Sequence, residues 1–165
     1  MRRALALACL AGLGCVGPAQ ARGWVWISQT TRRDAVAAIG DDHGSSLSIT
    51  CVSGPKPTYL LVIDGPMASL KPGRGLLTVI EGRRPVAVRL DGVRLPYRGV
   101  VQLTGRGGDR ATLQAIQSLY EAKGPIVVSS GTFRFSVSSL GVRWAMAPLI
   151  RRCGDLPALS RRARP

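Results

Sequence analysis

Histidine and acidic residues are both scarce in this chain of 165 residues. His43 is the only histidine, so no second imidazole exists to complete a typical zinc site with it. The nine acidic residues include no distinctive carboxylate pair for general acid–base chemistry. We expect Asp64, Glu81 and Asp91, which lie in or beside predicted strands and turns, to form salt bridges with arginines.

Motifs for common enzymatic chemistry are absent as well. The sequence has no Gly-x-Ser-x-Gly, no Walker motif and no dinucleotide-binding fingerprint, and no Cys-x-x-Cys pair. We therefore predict a protein with no enzymatic activity and no cofactor. A hydrolase that uses Asp41, His43 and a serine is the alternative. Because adjacent side chains diverge, we interpret the run Asp-Asp-His-Gly-Ser-Ser at 41–46 as a turn.

The sequence has no hydrophobic run of the roughly 20 residues that a membrane-spanning helix needs. Its first apolar run, residues 4–16, follows two arginines and precedes a small-x-small site at 19–21, which is the order of a secretory signal peptide. We predict cleavage after Ala21 and export to a bacterial periplasm, or secretion, with no transmembrane segment in the mature chain. Lipid attachment at Cys15 is the alternative, but Gly12 stands where a lipobox usually has an aliphatic residue.

Cleavage after Ala21 leaves two cysteines, Cys51 and Cys153. In an oxidising compartment we predict a disulfide between them; two buried free thiols are the alternative. The bridge would close a loop of roughly 100 residues, worth up to about 4–5 kcal/mol in the chain-entropy model. Residues 22–154 are predicted to form a single β-rich domain, and residues 155–165 a loosely ordered basic tail.

Positive charge dominates the mature chain, which has 21 Lys and Arg against 9 Asp and Glu, a net charge of +12. This charge favours anionic partners such as lipid head groups, polyanionic glycans or nucleic acid, although a GC-rich genome explains the same arginine bias. The candidate anion-binding residues are Arg106, Arg110, Arg151 and Arg152. The first two lie in a glycine-rich loop before a predicted helix, whose backbone N–H groups suit an anion; a flexible connector is the alternative.

Aromatic residues make up only 5% of the chain. Trp24 and Trp26, close to Arg22, are candidates for stacking on bases. The interleaving of basic and aromatic residues that is typical of nucleic-acid modules is nevertheless thin.

Apolar residues that alternate with polar ones predict a mainly β protein. Leu47, Ile49 and Cys51 alternate with serine and threonine, as in a strand buried on one face. Residues 59–64 are apolar on both faces and are predicted to pair with that strand as a hairpin. Residues 65–75 are predicted to form a loop, and Asp91-Gly92 is a hairpin-turn signal. The predicted class is mainly β (α+β): an antiparallel β-sandwich-like domain with two helices packed against it.

Two segments have helical periodicity. Asp109 is predicted to cap a helix that runs to Lys123 and is stopped by Gly124-Pro125. A second helical period begins after Gly141, and Pro148 is predicted either to kink this second helix or to delay its start. The predicted buried stripe of that second helix comprises Val142, Ala145, Met146, Leu149 and Cys153.

Several of these features together resemble a known group of small bacterial periplasmic proteins. They are the signal peptide, the early tryptophan, Leu47-x-Ile49-x-Cys51, the helix at 112–122, and the closing Ser139-Leu140-Gly141-(x3)-Ala145-(x3)-Leu149-(x3)-Cys153. The group includes the invasion-associated locus B family and accessory periplasmic proteins of type VI secretion. The resemblance implies a β-sandwich-like domain with helices at its side, no enzymatic activity, and a partner that is an envelope or secretion-system protein.

Overall fold

The structure of the protein, a computed structural model, describes residues 25–154 and Leu156. The predicted signal peptide, Arg22, Trp24 and the predicted tail lie outside the described residues, except for Leu156, which is buried. The described chain contains β1 (Ile27–Thr30), β2 (Asp34–Gly40), β3 (Ser46–Val52), β4 (Thr58–Pro66), β5 (Gly73–Glu81), β6 (Pro85–Leu95), β7 (Val100–Arg106), α1 (Arg110–Tyr120), β8 (Ile126–Ser130), β9 (Phe133–Val137) and α2 (Val142–Cys153), with a short 3₁₀ turn at Pro96–Arg98.

All nine of these strands belong to one antiparallel sheet, in the order β1-β2-β3-β4-β7-β6-β5-β8-β9. The sheet is curled, as a contact between its two edges shows. The Trp26 indole Nε1, just before β1, donates a hydrogen bond of 2.8 Å to the carbonyl oxygen of Ser138, just after β9. Both helices pack on the inner face of the curl, α2 against β2 and β3 and α1 against β6. The predicted mainly β (α+β) class with two helices packed against the sheet is confirmed.

Alternating side chains produce the core, as the sequence predicts. In β2, β3 and β4, every second residue is buried and its neighbours are half-buried or exposed. The predicted hairpin of β3 and β4 is confirmed by their register, in which Cys51 lies opposite Tyr59 and Leu47 opposite Ile63. None of the described helices is both long and apolar enough to cross a membrane.

Asp91-Gly92 does not form a hairpin turn, so that prediction is wrong. Strand β6 continues through both residues: residues 85–90 and Gly92 pair with β5 on one edge, and residues 91–95 pair with β7 on the other edge. Space is tight at this point, because a Cβ on Gly92 would lie 2.9 Å from Leu103 Cδ2 and 3.0 Å from Leu76 Cδ1, so a larger residue would displace these leucine side chains. The loop predicted at 65–75 is also shorter, since β4 extends to Pro66 and β5 begins at Gly73.

Cys51 on the inner face of β3 and Cys153 at the end of α2 form a disulfide, with their Cα atoms 5.8 Å apart. This prediction is confirmed. Helix α2 begins at Val142 and contains Pro148, so a start delayed to Pro148 is wrong. The five residues of its predicted stripe are all buried. A second link secures the same end of α2, where the Tyr59 hydroxyl donates a hydrogen bond of 2.7 Å to the Gly154 carbonyl oxygen.

We expect removal of the disulfide to destabilise the domain by about 2–4 kcal/mol, because the unfolded chain regains the freedom of a loop of roughly 100 residues. The measurement is urea denaturation of the chain from residue 22, oxidised and reduced, beside the variant Cys51→Ala/Cys153→Ala. Reduced wild type keeps the side-chain volume, so it separates the loop effect from a cavity effect. Two titratable thiols in the unreduced protein would contradict the prediction.

Candidate functional site

A wedge-shaped opening divides the sheet between β6 and β7. The two strands pair from Asp91–Thr104 to Leu95–Val100. The strands separate beyond the Asp91–Thr104 pair. There residues 105–106 pair only with β4 and residues 85–90 pair only with β5, so within the described chain neither stretch has a strand neighbour on its other side. A strand edge without a neighbour presents backbone N–H and C=O groups that another chain can pair with.

This opening forms a cleft of about 880 Å³, which we call the β6–β7 cleft. Its walls include three consecutive residues of β6 (87–89) and three of β7 (104–106), and the first turn of α1 closes one end. Successive side chains of a strand point to opposite faces of the sheet. Three consecutive residues along one wall therefore mean that the edge of each strand, rather than one of its faces, borders the cleft.

The acidic groups of the cleft are engaged within the fold. Asp91 Oδ1 accepts a hydrogen bond of 2.9 Å from the Gly75 backbone N–H. Asp109 caps α1 as predicted, accepting from the backbone N–H groups of Ala111 at 3.3 Å and Thr112 at 3.0 Å. These carboxylates are thus held by backbone donors.

The basic groups of the cleft remain available to a ligand. The Arg106 side chain is exposed and forms no hydrogen bond or ion pair with any residue that the structure describes. Arg89 donates one hydrogen bond of 3.2 Å to the Gly75 carbonyl oxygen and is otherwise exposed. Leu77 and Val93 line the same cleft with 56% and 60% of their surfaces exposed. The cleft therefore combines two accessible cations, two accessible apolar side chains and two strand edges.

The four candidate anion-binding residues predicted from the sequence lie at one end of the sheet. Tyr59 at the start of β4 connects them, because its carbonyl oxygen accepts a hydrogen bond of 2.6 Å from the Gly107 N–H and its hydroxyl bonds to Gly154. Gly107 follows Arg106, and Gly154 follows the last turn of α2 with Arg151 and Arg152. The four do not line a common cavity, since Arg106 lines the β6–β7 cleft and the α2 pair lines a smaller pocket beside Thr30 and Pro148.

Three further basic residues occupy this end, because the strand register aligns the β1–β2 and β3–β4 turns with the end of β7. Arg152 Nη1 donates a hydrogen bond of 3.1 Å to the Thr31 carbonyl oxygen and joins α2 to the first of these turns. The described acidic residues beside these turns and loops are Asp34 and Asp109, so basic residues outnumber acidic ones at this end. We call this region the basic end; it comprises Arg32, Arg33, Lys56, Arg106, Arg110, Arg151 and Arg152. Sequence reasoning missed it because the positions are scattered along the chain.

A second basic group surrounds the end of α1. Arg83 Nη1 lies 2.8 Å from Glu121 Oε2, the one ion pair between described residues. A hydrogen bond from Gln117, followed by the one from Arg83, lowers the pKa of Glu121. Lys123 and Arg143 line a pocket of about 430 Å³ together with Arg83 and Glu121. One carboxylate thus faces three cations in this pocket.

Asp64, Glu81 and Asp91 do not form the expected salt bridges with any arginine that the structure describes, so that prediction is wrong for the described chain. Asp64 instead accepts hydrogen bonds from Ser46 Oγ at 3.2 Å and Gln102 Nε2 at 3.0 Å. The sheet register explains this choice, because Ser46 and Gln102 are the cross-strand neighbours of Asp64 in β3 and β7.

The loop with the single histidine has the geometry of a turn. Asp41 Oδ1 accepts hydrogen bonds from the backbone N–H groups of His43 at 2.9 Å and Ser45 at 2.8 Å, so it holds the loop rather than the imidazole. Among the described residues no group of three or more His, Cys, Asp or Glu side chains is placed to hold a metal ion.

Trp26 is not available for stacking on bases, which corrects that candidate assignment. Only 1% of its surface is exposed, and its indole N–H is bonded to Ser138. Its proposed partners Trp24 and Arg22 lie outside the described residues.

Comparison of the chain with protein-family models, with curated proteins and with solved structures finds no match.

We expect Gly107→Ala to cost about 1–3 kcal/mol, because the new Cβ would lie 2.7 Å from the Tyr59 carbonyl oxygen and 2.9 Å from its nitrogen. The adjacent change Gly108→Ala is the matched control, since no atom lies within 4 Å of that Cβ. Urea denaturation of both variants measures the difference. Equal stabilities would show that the β7–α1 loop is not held against Tyr59.

Proposed function

We propose that the protein is an exported, non-enzymatic binding protein of the bacterial envelope, of the kind represented by the invasion-associated locus B family. Its partner is an envelope or secretion-system protein, which it binds in the β6–β7 cleft. The observation that carries this proposal is the pair of diverging strand edges at residues 87–89 and 104–106, which border one open cleft.

The disulfide supports export, because such bonds persist in oxidising compartments. Residues 1–21 have the charge and hydropathy pattern of a signal peptide, which would direct the chain to the periplasm.

The cleft suits an extended segment of the partner. A segment that lies along β6 pairs with its free edge, and the main-chain hydrogen bonds supply affinity without regard to sequence. Alternate side chains of such a segment point to one face. On the outer face they meet Leu77 and Val93, with Arg89 and Arg106 nearby in the same cleft. The favoured partner segment is therefore extended and combines apolar with acidic residues.

We expect Arg89→Glu/Arg106→Glu to weaken binding of such a segment by about tenfold or more, roughly 1.4 kcal/mol. The probe is a ten-residue peptide selected from a displayed random library on the chain from residue 22, and binding is measured by fluorescence anisotropy. Arg94→Glu/Arg98→Glu is the matched control, because both residues are exposed and line no part of the cleft. Selected peptides that bind both variants as tightly as wild type would refute the cleft as the site.

Binding of a polyanion is the second candidate function, and the convergence of seven basic residues on the basic end favours it. Long-range attraction from such a cluster raises the association rate with any polyanion and falls steeply with salt.

We expect a variant of the basic end, in which Arg106, Arg110, Arg151 and Arg152 are changed to serine, to elute from a heparin column at clearly lower salt than wild type. The matched control changes Lys71, Arg74, Arg94 and Arg98 to serine; it removes the same charge from exposed positions outside the basic end. Equal shifts of the two variants would mean that the net charge, not its location, determines retention. Thermal melting of both variants checks that the fold is retained.

A further inference from the structure

Large apolar side chains are exposed where α2 begins. Trp144 and Leu140 have 69% and 71% of their surfaces exposed. Val25, which is 55% exposed, lies beside them, since a Cβ on Gly141 would be 3.6 Å from Val25 Cγ1. Ile27, 65% exposed, follows on the same side of the chain, with the buried Trp26 between them. We call these four residues the Trp144 patch; they are half of the eight large hydrophobic side chains exposed in the described chain.

The Trp144 side chain does not contribute to the buried core. The buried stripe of α2 is formed by residues such as Ala145, Met146 and Leu149, and Trp144 projects from the other side of the helix. Trp26 shows the contrasting case, in which the indole is buried and its N–H is bonded. An exposed tryptophan within an apolar patch is typical of a surface that meets something else.

Cations stand directly beside this patch. Arg143 precedes Trp144; its Nε donates a hydrogen bond of 3.3 Å to the Tyr120 carbonyl oxygen, and its guanidinium carbon lies 5.6 Å from the centre of the Tyr120 ring. Arg143 also lines the 430 Å³ pocket with Arg83 and Lys123. Because Glu121 is already paired with Arg83, Lys123 and Arg143 have no carboxylate partner among the described residues.

We propose that the Trp144 patch docks the protein on the surface of an anionic phospholipid bilayer. Tryptophan is favoured at the boundary between head groups and acyl chains, and Trp144 and Leu140 enter that boundary. Arg143, Lys123 and Arg83 bind lipid phosphates, each contributing attraction to the negative surface. Four apolar side chains are too few to hold a protein on a membrane without added charge, and the neighbouring cations supply it. This complementarity of charge favours an anionic lipid surface over a neutral partner.

This binding is peripheral. The remaining stripe of α2 stays in the core, so the helix rests against the bilayer only with its first turn. The basic end lies at the opposite end of α2 and the β6–β7 cleft is lined by other residues, so neither is part of this contact.

The experiment is co-sedimentation of the chain from residue 22 with two kinds of vesicle. One contains phosphatidylcholine alone, and the other contains phosphatidylcholine with about 30 mole per cent phosphatidylglycerol, which makes its surface strongly anionic. Residues 1–21 are left out because their apolar run would itself bind vesicles. We expect binding to the anionic vesicles only, with a blue shift of tryptophan fluorescence. Trp144→Ser and Leu140→Ser should each weaken it by about tenfold or more, and Arg143→Gln by about fivefold.

Leu77→Ser and Val93→Ser are the matched controls, because these side chains are similarly exposed but lie in the β6–β7 cleft. They should leave vesicle binding unchanged while weakening peptide binding in the β6–β7 cleft, so that failure of the cleft proposal and failure of this one are distinguishable. The proposal is overturned if wild type does not bind anionic vesicles, or if it binds neutral vesicles equally well. It is also overturned if the Trp144 and Leu140 variants, folded by thermal melting, bind as wild type does. In that last case, release by heparin would assign the binding to the basic end.

Discussion

The attachment of α2 to the inner face of the sheet is the interaction on which the rest of this structure depends. Four apolar residues of the helix are buried beneath β2 and β3, and its last residue, Cys153, is bonded to Cys51. The Tyr59 hydroxyl holds the next residue, Gly154. At the other end of the helix, the chain entering α2 receives a hydrogen bond from Trp26. The helix therefore bridges the first strands of the sheet and its last strand, and the sheet has to curl around it.

The β6–β7 cleft is the counterpart of that curl. Strand β6 pairs with β5 along one edge from Pro85 to Gly92, but with β7 along the other edge only from Asp91 to Leu95. Gly92 lets the chain pass closely between Leu76 and Leu103. Helix α1 starts where β7 leaves off and packs against β6 on the inner side. Its C-terminal part meets the β5–β6 turn, where Ser118 Oγ donates a hydrogen bond of 2.6 Å to the Arg84 carbonyl oxygen. The inner side of the opening is thus covered, while its outer side remains open as the β6–β7 cleft.

The positive charge is organised by the ends of elements rather than by the faces of the sheet. Strands β2, β3 and β4 carry little charge along their lengths, whereas the turns and helix ends carry many arginines. The last turn of α2 holds Arg151 and Arg152, where the partial negative charge of a helix C-terminus stabilises cations. With 17 basic and 8 acidic residues between 25 and 154 and one ion pair among them, most of this charge is available to external anions.

Local patterns determined much of the fold from the sequence alone. The alternation in β3 and β4, the Asp109 cap of α1 and the apolar stripe of α2 each depend on neighbours a few residues away, so sequence spacing predicts them. The disulfide could be inferred because only two cysteines, Cys51 and Cys153, lie after the predicted signal peptide in the sequence. Tertiary structure alone decided which arginines meet, that Asp91-Gly92 lies within a continuous strand rather than in a turn, and that Trp26 is buried with its indole bonded to Ser138. These outcomes depend on strand order, register and the direction of the helices, which bring together residues that are far apart in the chain, and no local spacing encodes that.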